Sequence, residues 1–113
     1  LGAERWRLIK THMPADRLKY SPDARFVYVT RHPVACFESI VDFVRLLAGP
    51  LAPSREWLLD WYLSDRMWWR AWPENVESWW RLAQAHDNVL FVHYEDMLAD
   101  LPRTVDRLSL IHI

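Results

Sequence analysis

Two sets of residues in this chain have the types and spacing to do chemistry. Lys10-Thr11-His12 sets an ammonium and an imidazole two residues apart, while Arg31 stands before His32-Pro33 with Ser39 eight residues beyond it. An imidazole titrates near pH 6.5 in model peptides, so at pH 7 it is substantially neutral and can accept a proton as a general base. On a strand, Lys10 would share a face with His12 and place positive charge beside it. Arg31 just before a helix amino terminus suits an anion, because its forked donors add to the exposed N–H groups and the positive end of the helix dipole. Ser39 would lie about two turns along that helix and would reach the same anion only if the anion runs along the helix flank. The ordinary alternatives are a solvated Lys-x-His pair, a local cap or ion pair for Arg31, and a tolerated helix serine at position 39.

The elements that must position these residues follow from the change of period around them. Phe26-Val-Tyr-Val-Thr30 is an apolar, β-branched run without polar alternation, which predicts a strand buried on both faces of a parallel sheet. A helix begins at Pro33, with Val34, Phe37, Val41, Val44 and Leu47 at three- and four-residue spacing. Arg31 then stands at the carboxyl end of a strand, where open α/β sheets bind ligands. Trp6-Arg-Leu-Ile-Lys10 reads as a second parallel strand, stopped by Pro14, that delivers Lys10 and His12 to the same edge. Asp16 to Tyr20 allows one or two helical turns.

Ala48-Gly-Pro-Leu-Ala-Pro53 is the clearest break in the chain, and Ser54 is placed to cap the next helix. Tryptophans then recur at helical spacing: Trp57, Trp61, Trp68, Trp69 and Trp72 before Pro73 restarts the helix, Trp79 and Trp80 after it. Most are expected to pack between the two helices; some would instead wall an apolar pocket or meet another part of a larger protein. Val89 to Tyr94 reads as a third strand, Glu95-Asp96 as a turn, and Pro102 as the first turn of a last helix capped by Asp100, with Val105 and Leu108 facing inward. Strand and helix alternate, so the fold class expected is α/β, a three-layer sandwich with a parallel sheet.

Composition narrows the function classes. The chain has 113 residues, 51% hydrophobic and 26% charged, which is one domain's worth of globular sequence. Fourteen basic and 15 acidic residues give a net charge of -1, so nucleic acid is not an expected partner and any anion must be held by a local site. The single Cys36 excludes an internal disulfide and reads as a small core residue. His32, His86, His93 and His112 lack ligand spacing, so no metal site is expected. No apolar run of membrane-spanning length occurs, and residues 1 to 20 are too charged for a signal peptide; a cytoplasmic location is the expectation.

Lys10-Thr-His-Met-Pro14, then Phe26-Val-Tyr-Val-Thr-Arg-His-Pro33 with Ser39, then Tyr94-Glu-Asp-Met97 resemble, in this order and at these separations, the middle of a cytosolic-type sulfotransferase. The resemblance covers residues 6 to 108. It implies a P-loop NTPase-like sulfotransferase fold and transfer of a sulfuryl group from 3′-phosphoadenosine 5′-phosphosulfate to a hydroxyl or amine acceptor, without a metal. By the same resemblance His12 is the general base and Lys10 sits near the donor's bridging phosphate–sulfate region. Arg31 and Ser39 clamp the 3′-phosphate, a group that accepts bidentate donors well. Tyr94 lies near the adenine, although a ring at a strand end is equally at home in a core.

Three features depart from the family pattern. With Gly2 and Gly49 the only glycines, these residues hold neither the lysine-containing phosphosulfate loop nor the Gly-rich Arg-Lys-Gly segment of the family. Glu38 beside Ser39 is an unfavourable neighbour for a phosphate unless it points elsewhere. Ser109 to Ile113 does not match the family's usual helix end and reads as a possible foreign tail. The expectation is therefore a single partial domain over residues 1–113, the central fragment of a sulfotransferase, inactive by itself. Its acceptor is expected to be a small apolar alcohol, phenol or lipid, with residues 48 to 72 supplying the pocket. Two other readings stay open: part of a P-loop-type small-molecule kinase, and a non-catalytic Trp-rich helical interaction module.

Overall fold

In the computed structural model, which describes residues 7–110, the sheet forms from two runs of β-branched and aromatic residues. β1 (Phe26–Thr30) and β2 (Val89–His93) pair in parallel, with Phe26 opposite Val89 and Thr30 opposite His93. Parallel pairing requires a long crossover, and the chain between the strands supplies it as α1 (Pro33–Ala48), α2 (Arg55–Tyr62) and α3 (Trp72–Ala85). After β2 come two short helices, α4 (Tyr94–Ala99) and α5 (Leu101–Leu110). The arrangement is α/β with parallel strands.

Local chemistry sets the boundaries. His32 caps α1, its Nδ1 accepting the Val34 N–H at 3.2 Å, and Pro33 takes the first turn where no N–H is needed. Gly49 ends α1 at a φ of 54°, a left-handed value that glycine adopts at least cost. Ser54 Oγ accepts the Trp57 N–H at 3.1 Å, the cap expected for α2. Pro73 lies in the first turn of α3, and Asp100 caps α5 by accepting the Arg103 N–H at 3.1 Å.

Two apolar clusters organise the packing. Phe37 and Val41 of α1 meet Leu58, Trp61 and Tyr62 of α2 together with Met67, and Cys36, Ile40, Val44, Trp69 and Trp72 pack around them. Trp79 of α3 covers the sheet face carrying Phe26, Tyr28 and Phe91, alongside Ala15 and Val89. Tyr28 stacks on Trp79 at 5.3 Å between ring centroids, in the size range where offset aromatic pairs add to area burial. Asn88 fastens the entry end of the sheet, accepting from the Tyr20 hydroxyl and donating to the carbonyls of Ser21 and Ala24.

Several expectations are corrected. Residues 7–10 form no strand, Trp6 lies outside the described residues, and Leu8 and Ile9 are exposed. A strand's N–H and C=O groups need a neighbour, and no described segment pairs with this one. β1 is buried on one face only: Val27 and Val29 are 47% and 48% exposed, although Leu90 and Val92 opposite them in the ladder are buried. Val34 and Leu47 at the two ends of the α1 stripe are exposed, while Phe37, Val41 and Val44 face inward. The stretch from Asp16 to Tyr20 shortens to one 3₁₀ turn over Ala15–Arg17. Glu95 and Asp96 lie in the first turn of α4 and are not a connecting turn. In α5 Thr104 is the buried residue and Val105 is exposed, because this ten-residue helix turns only one face toward β2. Ser109 and Leu110 continue that helix; residues 111–113 lie outside the described residues.

Candidate functional site

Arg31 follows the last residue of β1, and its side chain meets both other residues singled out for anion and base recognition. Arg31 Nη1 donates to Ser39 Oγ at 3.1 Å, across the first two turns of α1. Its guanidinium carbon lies 4.6 Å from the centroid of the Tyr94 ring, a cation–π distance. Tyr94 begins α4 directly after β2, so the parallel pairing of β1 and β2 is what sets the phenol against the guanidinium. The site thus combines a fixed cation, a hydroxyl, and a flat ring at the carboxyl ends of two parallel strands.

The backbone under Arg31 is held from several sides. The Trp72 indole Nε1 donates to the Arg31 carbonyl at 3.0 Å, and Cys36 Sγ contacts the same oxygen at 3.6 Å. Glu95 Oε1 accepts the His32 N–H at 2.8 Å, and the Tyr62 hydroxyl donates to the Pro33 carbonyl at 2.9 Å. The His32 N–H holds the Glu95 carboxyl below the usual carboxylate range. Burial raises the Cys36 thiol above its ordinary value, and the nearby Arg31 cation partly opposes that rise. A cavity of about 280 Å³ opens here, lined by Thr30, Arg31, Trp72, Val76, His93 and Glu95 among others. Glu38, the awkward neighbour of Ser39, is turned away into an ion pair with Arg55, whose hydrogen bond lowers the carboxyl further.

Lys10 and His12 stand apart from this cluster. Both are exposed and both lie in the irregular segment before the 3₁₀ turn, not at the tip of a strand neighbouring β1. His12 is nonetheless placed: its ring lies 4.7 Å from that of Trp69, and its carbonyl accepts from Asn75 Nδ2 at 3.2 Å. Trp69 in turn meets Trp68 edge-on at 5.8 Å, and Trp68, 74% exposed, meets Trp61 at 5.3 Å. An aromatic row therefore links the imidazole, through Trp69 and Trp68, to the buried Trp61. Among the described residues, no three His, Cys, Asp or Glu side chains gather as a metal-ion site. No described helix is long and apolar enough to cross a membrane.

Trp72 and Tyr62 hold the backbone around Arg31, and Asn75 holds that of His12; none of the three stands out in the sequence as a site residue. Helical spacing reports the apolar side of the Trp72 and Tyr62 rings and says nothing of where their N–H and O–H go. Asn75 left one legible signal, a poor helix former in the first turn of a helix that Pro73 had already started.

Fold and site together define an α/β unit with an anion-and-ring constellation at the strand ends. The chain belongs to the sulfotransferase family: the sulfotransferase domain matches over residues 3–110. Among similar proteins, zebrafish (Danio rerio) cytosolic sulfotransferase 1 is 31% identical over 106 residues, covering 90% of this chain and 36% of the relative. Human sulfotransferase 1E1 is 29% identical, covering 94% of this chain and 36% of its own length. Rat sulfotransferase 1C2 is 26% identical over 89% of this chain and 35% of its own. The present chain thus spans about a third of the length of these curated relatives. A crystal structure of mouse sulfotransferase SULT7A1 complexed with PAP superposes with a TM-score of 0.65 at 22% identity, covering 77% of this chain and 31% of that one, which supports the α/β fold.

Proposed function

We propose that this chain is the part of a sulfotransferase that binds the nucleotide's 3′-phosphate and carries the base for the acceptor. The single observation behind this reading is the meeting of Arg31, Ser39 and Tyr94 at the strand ends. A guanidinium keeps its charge at all working pH values and offers donors in a fork, which matches a terminal phosphate monoester. Ser39 would add a hydroxyl to the same phosphate and Tyr94 a flat face for the adenine. This donor set fits 3′-phosphoadenosine 5′-phosphosulfate, which when bound supplies the sulfuryl group, its sulfur–oxygen bond to the 5′-phosphate breaking as the acceptor oxygen bonds sulfur.

The chain's own residues then have distinct tasks. His12 takes the proton from the acceptor hydroxyl, and the Lys10 ammonium offsets negative charge growing toward the phosphate. Arg31 and Ser39 hold the far end of the nucleotide and so fix its orientation. Trp69 beside the imidazole and the exposed Trp68 against it support an apolar acceptor, an alcohol or phenol rather than a sugar. Family membership favours sulfuryl over phosphoryl transfer, and the net charge of -1 favours a small molecule over nucleic acid. A cytoplasmic location is proposed by likeness to one relative named cytosolic. These 113 residues alone are expected to be inactive: they lack a glycine-rich phosphate-binding loop, and losing such positioned donors typically costs orders of magnitude in rate.

Nucleotide competition on the purified chain tests this. 3′,5′-Bisphosphoadenosine should bind at least about tenfold more tightly than ADP, since only the former presents a 3′-phosphate to Arg31. Equal affinity for the two would refute the clamp.

A further inference from the structure

His12 sits outside any helix or strand, so no ladder of its own fixes where the imidazole goes. Side chains of α3 hold its segment instead. Trp79 Nε1 donates to the Met13 carbonyl at 3.0 Å, and Ser78 Oγ accepts the Ala15 N–H at 2.9 Å. The bond to His12 itself comes from Asn75. Its Nδ2 donates to the His12 carbonyl at 3.2 Å and to the Trp69 carbonyl at 2.8 Å, and its Oδ1 accepts from the Tyr28 hydroxyl at 2.9 Å. One amide thus engages both donors and its acceptor, which fixes its orientation. It joins the two backbone segments whose rings touch, His12 and Trp69, and ties both to β1 three residues before Arg31.

Trp72, one turn earlier on α3, holds the Arg31 carbonyl. The two anchor points are three residues apart, about 4.5 Å along the helix axis. A rigid first helical turn therefore spans the gap that the sheet leaves between the anion cluster and the imidazole. Asparagine is disfavoured inside helices because its side chain competes for backbone groups, so its presence here is explained by the three bonds it makes.

We propose that Asn75 is the positioning residue for His12: its amide holds the His12 backbone against Trp69 and references both to β1 through Tyr28. This rests on the reading of His12 as the base. Asn75 is not catalytic, since its contacts are to backbone and to Tyr28. Without it the imidazole would keep its chemistry but lose its fixed place, and acceptor geometry would suffer while the anion cluster stayed intact.

The test uses the isotope-labelled chain and the His12 imidazole signals, assigned by their loss in His12→Gln. The Trp69 ring current displaces these signals from those of a free histidine. Asn75→Asp keeps the size and the acceptor for Tyr28 but removes both N–H donors. The His12 displacement should fall by more than half, the other imidazole signals should stay put, and affinity for 3′,5′-bisphosphoadenosine should change less than about twofold. An unchanged His12 displacement overturns the proposal. If Asn75→Asp fails to fold, Tyr28→Phe decides: it frees Oδ1 while keeping the ring on Trp79, and the displacement should fall part of the way, whereas no change overturns the proposal. The base reading fails on a different result, sulfation of a phenol by the full-length protein unaffected by His12→Gln, whatever the imidazole signals do.

Discussion

Replacing Arg31 by alanine should weaken 3′,5′-bisphosphoadenosine binding by two to three orders of magnitude. The fork presents two charge-assisted hydrogen bonds to a phosphate, each worth about 1.5–3 kcal/mol, and a half-buried site takes the lower end of that range. Two such bonds give about 3 kcal/mol. Losing the cation over Tyr94 removes about 0.5–1 kcal/mol more from the preformed geometry, for a total of about 3.5–4 kcal/mol, which is between about 10² and 10³-fold in Kd. Arg31→Lys keeps the charge but not the fork and should lose about tenfold. Ser39→Ala removes one neutral hydroxyl, about 1 kcal/mol, or roughly fivefold. Titration calorimetry on the three variants measures each step, with the wild-type affinity expected to fall as salt rises. Trp72 and Cys36 hold the Arg31 carbonyl, not its side chain, so Arg31→Ala should leave the circular dichroism unchanged. An Arg31→Ala affinity within about threefold of wild type would refute the assignment of the clamp.

Ser54→Ala should cost about 1 kcal/mol in chemical denaturation, because it removes the acceptor for the Trp57 N–H at the start of α2. Glu95 is an acid-side contributor: its folded pKa is depressed by the His32 N–H, so its stabilisation is present above the ordinary carboxylate value of 4.5 and lost as pH falls below it. Glu95→Gln should flatten the denaturation midpoint over that acid range, and an unaltered profile would show that the carboxylate does not matter there. Tyr28 has the opposite sign. Burial pushes its phenol up to about 12 from 10, so its contribution is present below pH 10 and is lost as pH rises toward 12. Phenolate absorbance should show a late step that Tyr28→Phe removes.

Much of the fold was legible because local rules governed it. The β-branched runs gave β1 and β2, Pro33 and Pro73 opened helices, and Ser54 and Asp100 capped them as their side chains allow. What local rules could not supply was company. Trp6 to Lys10 has the composition of a strand, but a strand exists only as a pair, and residues 7–10 have no described neighbour. Val27 and Val29 carry the residue types of a doubly buried strand and remain half exposed, which fits a chain spanning about a third of its relatives' length. Burial of an apolar residue is a property of what lies against it, and composition reports only the demand.

The site divides along the same line. Arg31, Ser39 and Tyr94 lie next to strand ends and in a helix whose register the period fixes, so their convergence follows once β1 and β2 pair in parallel. His12 depends instead on partners 57 to 67 residues away in sequence, Trp69, Asn75, Ser78 and Trp79 among them, reaching back to a segment with no secondary structure of its own. No periodicity encodes that attachment. The hydrogen bonds use polar atoms on which the helical pattern is silent: the Trp79 indole N–H, the Ser78 hydroxyl and the Asn75 amide. On the proposed roles of His12 and Arg31, their relative position depends on the first turn of α3, and changes there should alter acceptor geometry without touching the nucleotide's phosphate.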